Sequence, residues 1–410
     1  MRDHDDAPIV WRYDKGTVES GGDLLSGVSL PAAVIREPAL RHNLLWMQRF
    51  ADAHGAHLAP HGKTTMAPAL FRRQLEAGAW GITLATAPQC RAAFAHGVQR
   101  LLMANQLVGM ANMAIVAELI AAGADYYCLV DSIENVRQLG AFFAARDLRL
   151  QVLIELGVEG GRCGCRDQLQ LEALVEAIAG EPALALVGIE GYEGVIAGDD
   201  EVASVRAYGE RLVETVRALR ASGVLSCEAP IVTASGSKWF DLIAEAFDNA
   251  ELREHYTPVL RPGCYVVHDH KLYAGAMADV KARHPQLQGE LQSALEVYAH
   301  VQSLPEPGLA IVALGKRDIG HEPDLPLPLR LYPLFSRPEA ATLPLDVSNW
   351  HARHIMDQHL FLEIPQQAAL AVGDVIAFGT SHPCLTFDKW RQLLLMDDSL
   401  KVIEVMPTFF

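Results

Sequence analysis

From about Ala39 to Gly263, short apolar runs alternate with longer amphipathic stretches. The runs are HLAPH (57–61), GITLAT (81–86), RLLMAN (100–105), YYCLVD (126–131), LQVLIEL (150–156), ALVGIEGY (185–192), PIVTAS (230–235) and YTPVL (256–260). Each has strand length, and near-continuous apolarity is the mark of a strand covered on both faces. The stretches between them, such as MAPALFRRQLEAGA, MANMAIVAELIAAG and DEVASVRAYGERLVETVRALRASG, carry helical periodicity. Several end in Gly, a common helix stop. Eight such alternations predict an α/β fold, a parallel (β/α)8 barrel. A doubly wound open sheet is the competing architecture, and the count of eight favours the barrel.

After Tyr265 the pattern changes. LEVYAHVQSL, GLAIVALG, PLRLYPLF, QHLFLEIP, DVIAFGT and RQLLLMDD read as strands separated by Pro, Gly and Asp clusters, and no long helix is evident. The expected layout is a barrel over residues 31–265 and a mostly antiparallel β-domain over 266–410, joined by the first ~30 residues. No internal repeat or low-complexity tract interrupts it.

Composition narrows the function classes. The chain has 410 residues, half of them hydrophobic, which exceeds the ~250 residues of a typical barrel and calls for a second domain. A net charge of −16 argues against nucleic acid or an anionic membrane as partner. No apolar run approaches the ~20 residues of a membrane span. The acidic opening MRDHDDAPIVWRYDKG has no apolar h-region and does not read as a signal peptide. Seven scattered cysteines, an odd number, suit a reducing cytoplasm.

In a barrel, chemistry sits on loops at the C-terminal ends of the strands. Lys63 follows the first run at once, in PHGKTT. A partly desolvated lysine amine there can form a Schiff base with an aldehyde cofactor; the plainer alternative is a solvated loop lysine. His61, two residues earlier, shares a strand face with Lys63 and is placed to stack on a ring or shuttle a proton. Thr233, Ser235, Gly236 and Ser237 follow the seventh run, and Gly263, Cys264 and Tyr265 the eighth. Barrel phosphate sites are commonly built from these two loops; otherwise both are ordinary tight turns. Tyr192, after the sixth run, is a candidate contact for a cofactor ring or for substrate, or an interfacial aromatic. His382 and Cys384 form a His-x-Cys pair that suits zinc, unless they are a buried imidazole and a free thiol. Cys163 and Cys165 read as structural, because no second pair matches them. HDH (268–270) and WHARH (350–354) also tempt a metal reading, and Asp357 and His359 lie just before a β-domain strand.

The stretch PHGKTTMAPALFRRQLEAGAWGITLAT, followed by LLMANQLVG, resembles the D-threonine aldolase and D-serine dehydratase family, pyridoxal phosphate enzymes of the alanine-racemase-like barrel fold. The family pattern is met by Pro60, His61, Lys63, Thr64, Gln74, Gly78, Ala79, Ala104, Asn105 and Gln106. The resemblance continues through IELGVEGGRCG, IEGYEG and LRPGCYVVHD to SHPC, nearly the whole chain. Thr65 and Met66 stand where many relatives have His-Lys, and Gln89 where many have Glu. The Lys-Thr-Thr-Met form resembles a bacterial subgroup described as amino-acid deaminases.

The resemblance implies pyridoxal phosphate on Lys63, with Arg162 near its phenolic oxygen. It also implies a divalent metal at His382 and Cys384, beside the cofactor. Zinc is favoured there because the Cys384 thiolate is a soft ligand, with manganese the alternative; by the same resemblance dehydratases tend to carry His-x-Cys and aldolases His-x-Asp, which favours dehydration. A homodimer is implied as well. The expected activity is dehydration of a D-3-hydroxyamino acid, D-serine first, to a keto acid and ammonia. A D-threonine aldolase and a racemase on the same fold are the alternatives. A pyridoxal phosphate carrier would consist of the barrel alone.

Overall fold

The structure, a computed structural model, describes residues 15–18 and 22–410. The expectation for the first ~30 residues therefore falls partly outside the described residues. The chain divides into two compact units, one of Leu44–Tyr265 and one built from the described part of Met1–Asn43 together with Val266–Phe410. Strand β1 (Ala32–Arg36) lies in the second unit, so the barrel does not begin at residue 31. A short buried run such as AAVIR carries no mark of which sheet will take it.

All eight apolar runs contribute barrel strands. They are β2 (His57–Leu58), β3 (Ile82–Leu84), β4 (Arg100–Gln106), β5 (Asp125–Val130), β6 (Leu150–Leu156), β7 (Leu184–Gly191), β8 (Ile231–Ala234) and β9 (Thr257–Leu260). Their order is β2-β9-β8-β7-β6-β5-β4-β3, with every pair parallel. The two edges are joined by a parallel bridge between His61 and Thr83 and by Trp80 N–H donating to Leu58 O at 2.7 Å. One core cluster gathers Leu102, Tyr127, Leu129, Leu153, Val187, Ile231 and Val259 from six of the strands and is buried throughout. The helices start where the sequence supplies capping side chains: Thr86, Ser132, Asp167 and Asp200 each accept a backbone N–H of the first turn.

The second unit holds a ten-stranded sheet. Its further strands are β10 (Leu295–Glu306), β11 (Leu309–Val312), β12 (Leu327–Tyr332), β13 (Leu345–Asp346), β14 (His351–Ile355), β15 (Leu360–Glu363), β16 (Val375–Gly379), β17 (Gln392–Met396) and β18 (Val402–Pro407). Pairing is antiparallel except between β1 and β17. Contrary to expectation, this unit contains a twelve-residue helix, Leu272–Arg283. Its sequence LYAGAMADVKAR scatters small apolar residues around the cylinder instead of forming a stripe. The buried Asp269 carboxylate starts it by accepting the N–H groups of Lys271, Tyr273 and Ala274.

Candidate active site

Lys63 lies in a single 3-10 turn, Gly62–Thr64, just past β2. The strand has ended before it, so the face-sharing argument for His61 and Lys63 does not apply. Lys63 is exposed, not partly desolvated as the sequence suggested. The turn packs on the loop after β9. His61 N–H donates to Pro262 O at 3.2 Å, and a Cβ on Gly263 would meet Thr64 Oγ1 at 2.5 Å and His61 O at 2.8 Å. Only glycine fits there. His61 Nδ1 is buried without a hydrogen-bond partner. Burial, then the charges of Lys63, Arg261 and Arg162, holds this imidazole well below its ordinary range, so it is neutral.

The loops after β8 and β9 meet at Ser237, whose Oγ accepts N–H bonds from Gly263 at 3.3 Å and Cys264 at 3.1 Å. Its neighbours are engaged differently from the sequence expectation. Thr233 donates its hydroxyl to Val259 O at 2.8 Å, tying β8 to β9. The Ser235 and Gly236 N–H groups, expected to face an anion, donate to the carboxylate of Glu193 at 3.1 and 2.6 Å. Tyr265 is buried, and its hydroxyl accepts from Gln74 Nε2 at 3.3 Å. Cys264 is buried.

Tyr192 lies across the glycines of its own and the neighbouring loop. A Cβ on Gly194 would strike its hydroxyl at 2.3 Å, and one on Gly236 its Cε2 at 2.9 Å. The Arg162 guanidinium, on an exposed side chain, sits 4.2 Å from the ring centroid. Burial raises the phenol above its ordinary value and keeps it protonated. Several buried charged groups escaped the sequence reading. Arg261 donates to the carboxylate of Glu190 and, at 2.9 Å, to Gly191 O, with both side chains at least 96% buried. Their one signal was a charge inside a buried run, IEG and LRPG. Glu155, also buried, accepts from Gln106 at 2.6 Å. Cys165 N–H donates to Glu155 O and Cys165 O accepts from Gly157, a ladder position that suits a structural cysteine.

In the second unit, His382 and Cys384 are half-buried hydrogen-bond neighbours, and that bond is the main reason the imidazole is raised. The Tyr273 ring stands edge-on, 6.0 Å from His382. HDH does not converge as a ligand set. Asp269 caps a helix, and burial lowers both His268 and His270 to about 4. His351 and His354 are exposed on β14. Asp357 and His359 are exposed before β15, with Asp357 paired to Arg317 at 3.1 Å.

These residues fit a phosphate-bearing aromatic aldehyde. The barrel offers an amine, an unpartnered imidazole nitrogen, a protonated phenol and a glycine cradle with amides directed at one hydroxyl. The nitrogen and sulfur donors of His382 and Cys384 fit a zinc-like cation.

Residues 35–266 match the family model "Alanine racemase, N-terminal domain", and residues 294–396 match "Putative serine dehydratase domain". A D-threonine aldolase from Arthrobacter sp is 26% identical over 384 residues, 92% of each chain. A D-threo-3-hydroxyaspartate dehydratase from Delftia sp. (strain HT23) is 30% identical over 254 residues, 60% of this chain and 63% of the relative. The crystal structure of a D-threonine aldolase from Filomicrobium marinum superposes with a TM-score of 0.77 at 25% identity, covering 95% of this chain and 98% of that one. The chain belongs to the alanine-racemase-like, fold type III family of pyridoxal phosphate enzymes, with a serine-dehydratase-like second domain.

Proposed function

We propose that the protein is a pyridoxal phosphate-dependent, metal-assisted lyase that dehydrates a D-3-hydroxyamino acid, D-serine first, to pyruvate and ammonia. The observation that carries this reading is the packing of the Lys63 turn against Pro262 and Gly263, beside two N–H groups that converge on Ser237. Lys63 would hold the cofactor, and Ser237, Gly263 and Cys264 its phosphate. Pyridoxal phosphate, when bound, supplies an electron sink for the pair left when the Cα–H bond breaks. Once a substrate amine has taken its place on the cofactor, the freed amine of Lys63, on an exposed side chain, would take that proton. Neutral His61 adds no positive charge to the pocket, and protonated Tyr192 offers a hydrogen bond without an acid's pull. A divalent cation at His382 and Cys384, when bound, supplies Lewis acidity to a departing hydroxyl.

An aldolase is the second reading, because the D-threonine aldolase match extends over 92% of the chain. D-Threonine separates the two. A dehydratase yields 2-oxobutanoate and ammonia, whereas an aldolase yields glycine and acetaldehyde. The dehydratase products are expected, with keto-acid formation lost on chelation or in Cys384→Ala and restored by zinc in the wild type alone. Borohydride should bleach the cofactor's visible band and leave the label on Lys63. A label on Lys238 or Lys271, or full turnover without metal, removes the corresponding part of the proposal.

A further inference from the structure

We propose that Glu193 is a positioning residue that shapes the phosphate cradle from beneath. The inference deepens the cofactor reading above and rests on it. Glu193 is fully buried, in the 3-10 turn Glu193–Val195 after β7. Its carboxylate bonds the N–H of Ser235 at 3.1 Å and of Gly236 at 2.6 Å. Ser235 holds a φ of +93°, a conformation that a side chain other than glycine adopts only when its surroundings impose it. The carboxylate is that imposition. It gathers two adjacent amides on one anion and bends the loop so that the next residue, Ser237, faces the N–H groups of Gly263 and Cys264.

Two consequences follow from the charge and the geometry. The Ser235 and Gly236 amides are closed to a phosphate, because a second anion would have to displace Glu193 from a buried position. Anion binding is left to the Ser237 hydroxyl and the two amides it now bridges. The loop is also set before any ligand arrives, so less ordering accompanies binding. The same carboxylate fixes Tyr192. Its neighbour in sequence packs on Gly236, where a Cβ would lie 2.9 Å from the ring and 3.4 Å from Glu193 Oε1. Loop and ring therefore move together.

Glu193→Gln tests this. The amide NH2 cannot accept, so one loop N–H loses its partner while volume is conserved. Cofactor-free protein is titrated with pyridoxal phosphate and, separately, with pyridoxal, which lacks the phosphate. Absorbance reports binding, and circular dichroism reports the folded fraction. The expected result is a loss of pyridoxal phosphate affinity of about tenfold, with pyridoxal affinity within about twofold of wild type. Glu193→Asp draws the carboxylate back by one methylene and should show the same selective loss to a smaller degree. Ser235→Gly in the Glu193→Gln background frees the strained φ and should recover most of the preference for the phosphate form. Wild-type preference in either folded Glu193 variant overturns the inference. If wild-type protein itself fails to bind pyridoxal phosphate, the cofactor reading falls instead, so the two failures are distinguishable.

Discussion

Glu190 and Arg261 show how much a single buried charge can govern. The pair sits in the barrel wall with Glu190 Oε2 and Arg261 Nε lacking hydrogen-bond partners. Burial pushes the Glu190 carboxyl up to about 7, with Arg261 and Arg162 opposing the rise and Glu155 adding to it. An acid raised on folding binds more protons in the native than in the unfolded state. Between about 4.5, the ordinary value, and about 7, this group's contribution to stability therefore falls as the pH rises. Glu190→Gln removes the titration. In urea unfolding of the cofactor-free protein, the wild type should lose ground to this variant from pH 5 to pH 8, by on the order of 2 kcal/mol. Parallel profiles at the two pH values would show that Arg261 keeps the carboxylate ionised throughout. Arg261→Met is the harsher change. It leaves an uncompensated buried acid and should cost about 3–5 kcal/mol at pH 8 and less at pH 5.

At the scale of elements, the barrel depends on how closely neighbouring strands approach. In β7, a Cβ on Gly188 would come within 2.0 Å of Ile231 O and 2.7 Å of Ile231 C in β8. Backbone cannot swing aside as a flexible side chain does. Gly188→Ala is expected to destabilise the protein by about 3 kcal/mol or to abolish soluble expression. Hydrogen exchange should rise first in Leu184–Gly191 and Ile231–Ala234. An unchanged melting temperature would mean that the two strands can separate at no cost. Local pattern was a good guide where an element's burial is simple. LQVLIEL became the strand Leu150–Leu156 residue for residue, because a strand covered on both faces has no polar side to blur its ends. It was a poor guide for Leu272–Arg283, whose helix depends on the Asp269 cap, and for β14, whose side chains are mostly exposed.

At the scale of the whole molecule, the described residues contain no helix long and apolar enough to cross a membrane. Large apolar side chains such as Leu169, Met110 and Phe335 are at least 65% exposed. Single exposed side chains of this kind are ordinary on protein surfaces, so the homodimer rests on the resemblance alone. Sedimentation velocity should give a mass near twice the chain's 44.7 kDa, and a fully active monomer would exclude the dimer. The sequence by itself determined the parallel barrel, the antiparallel sheet after it, and the placement of Lys63, Ser237 and Gly263 on loops at strand ends. Those features follow from periodicity and from glycine and hydroxyl chemistry, which act over a few residues. Only the tertiary structure decided that β1 joins the second sheet, that Glu193 takes the amides of Ser235 and Gly236, and that Arg261 answers Glu190 across 71 positions of chain. The reason is physical. A buried donor or acceptor must find a partner, and which partner it finds is settled by the packing that brings distant segments together, on which local sequence is silent.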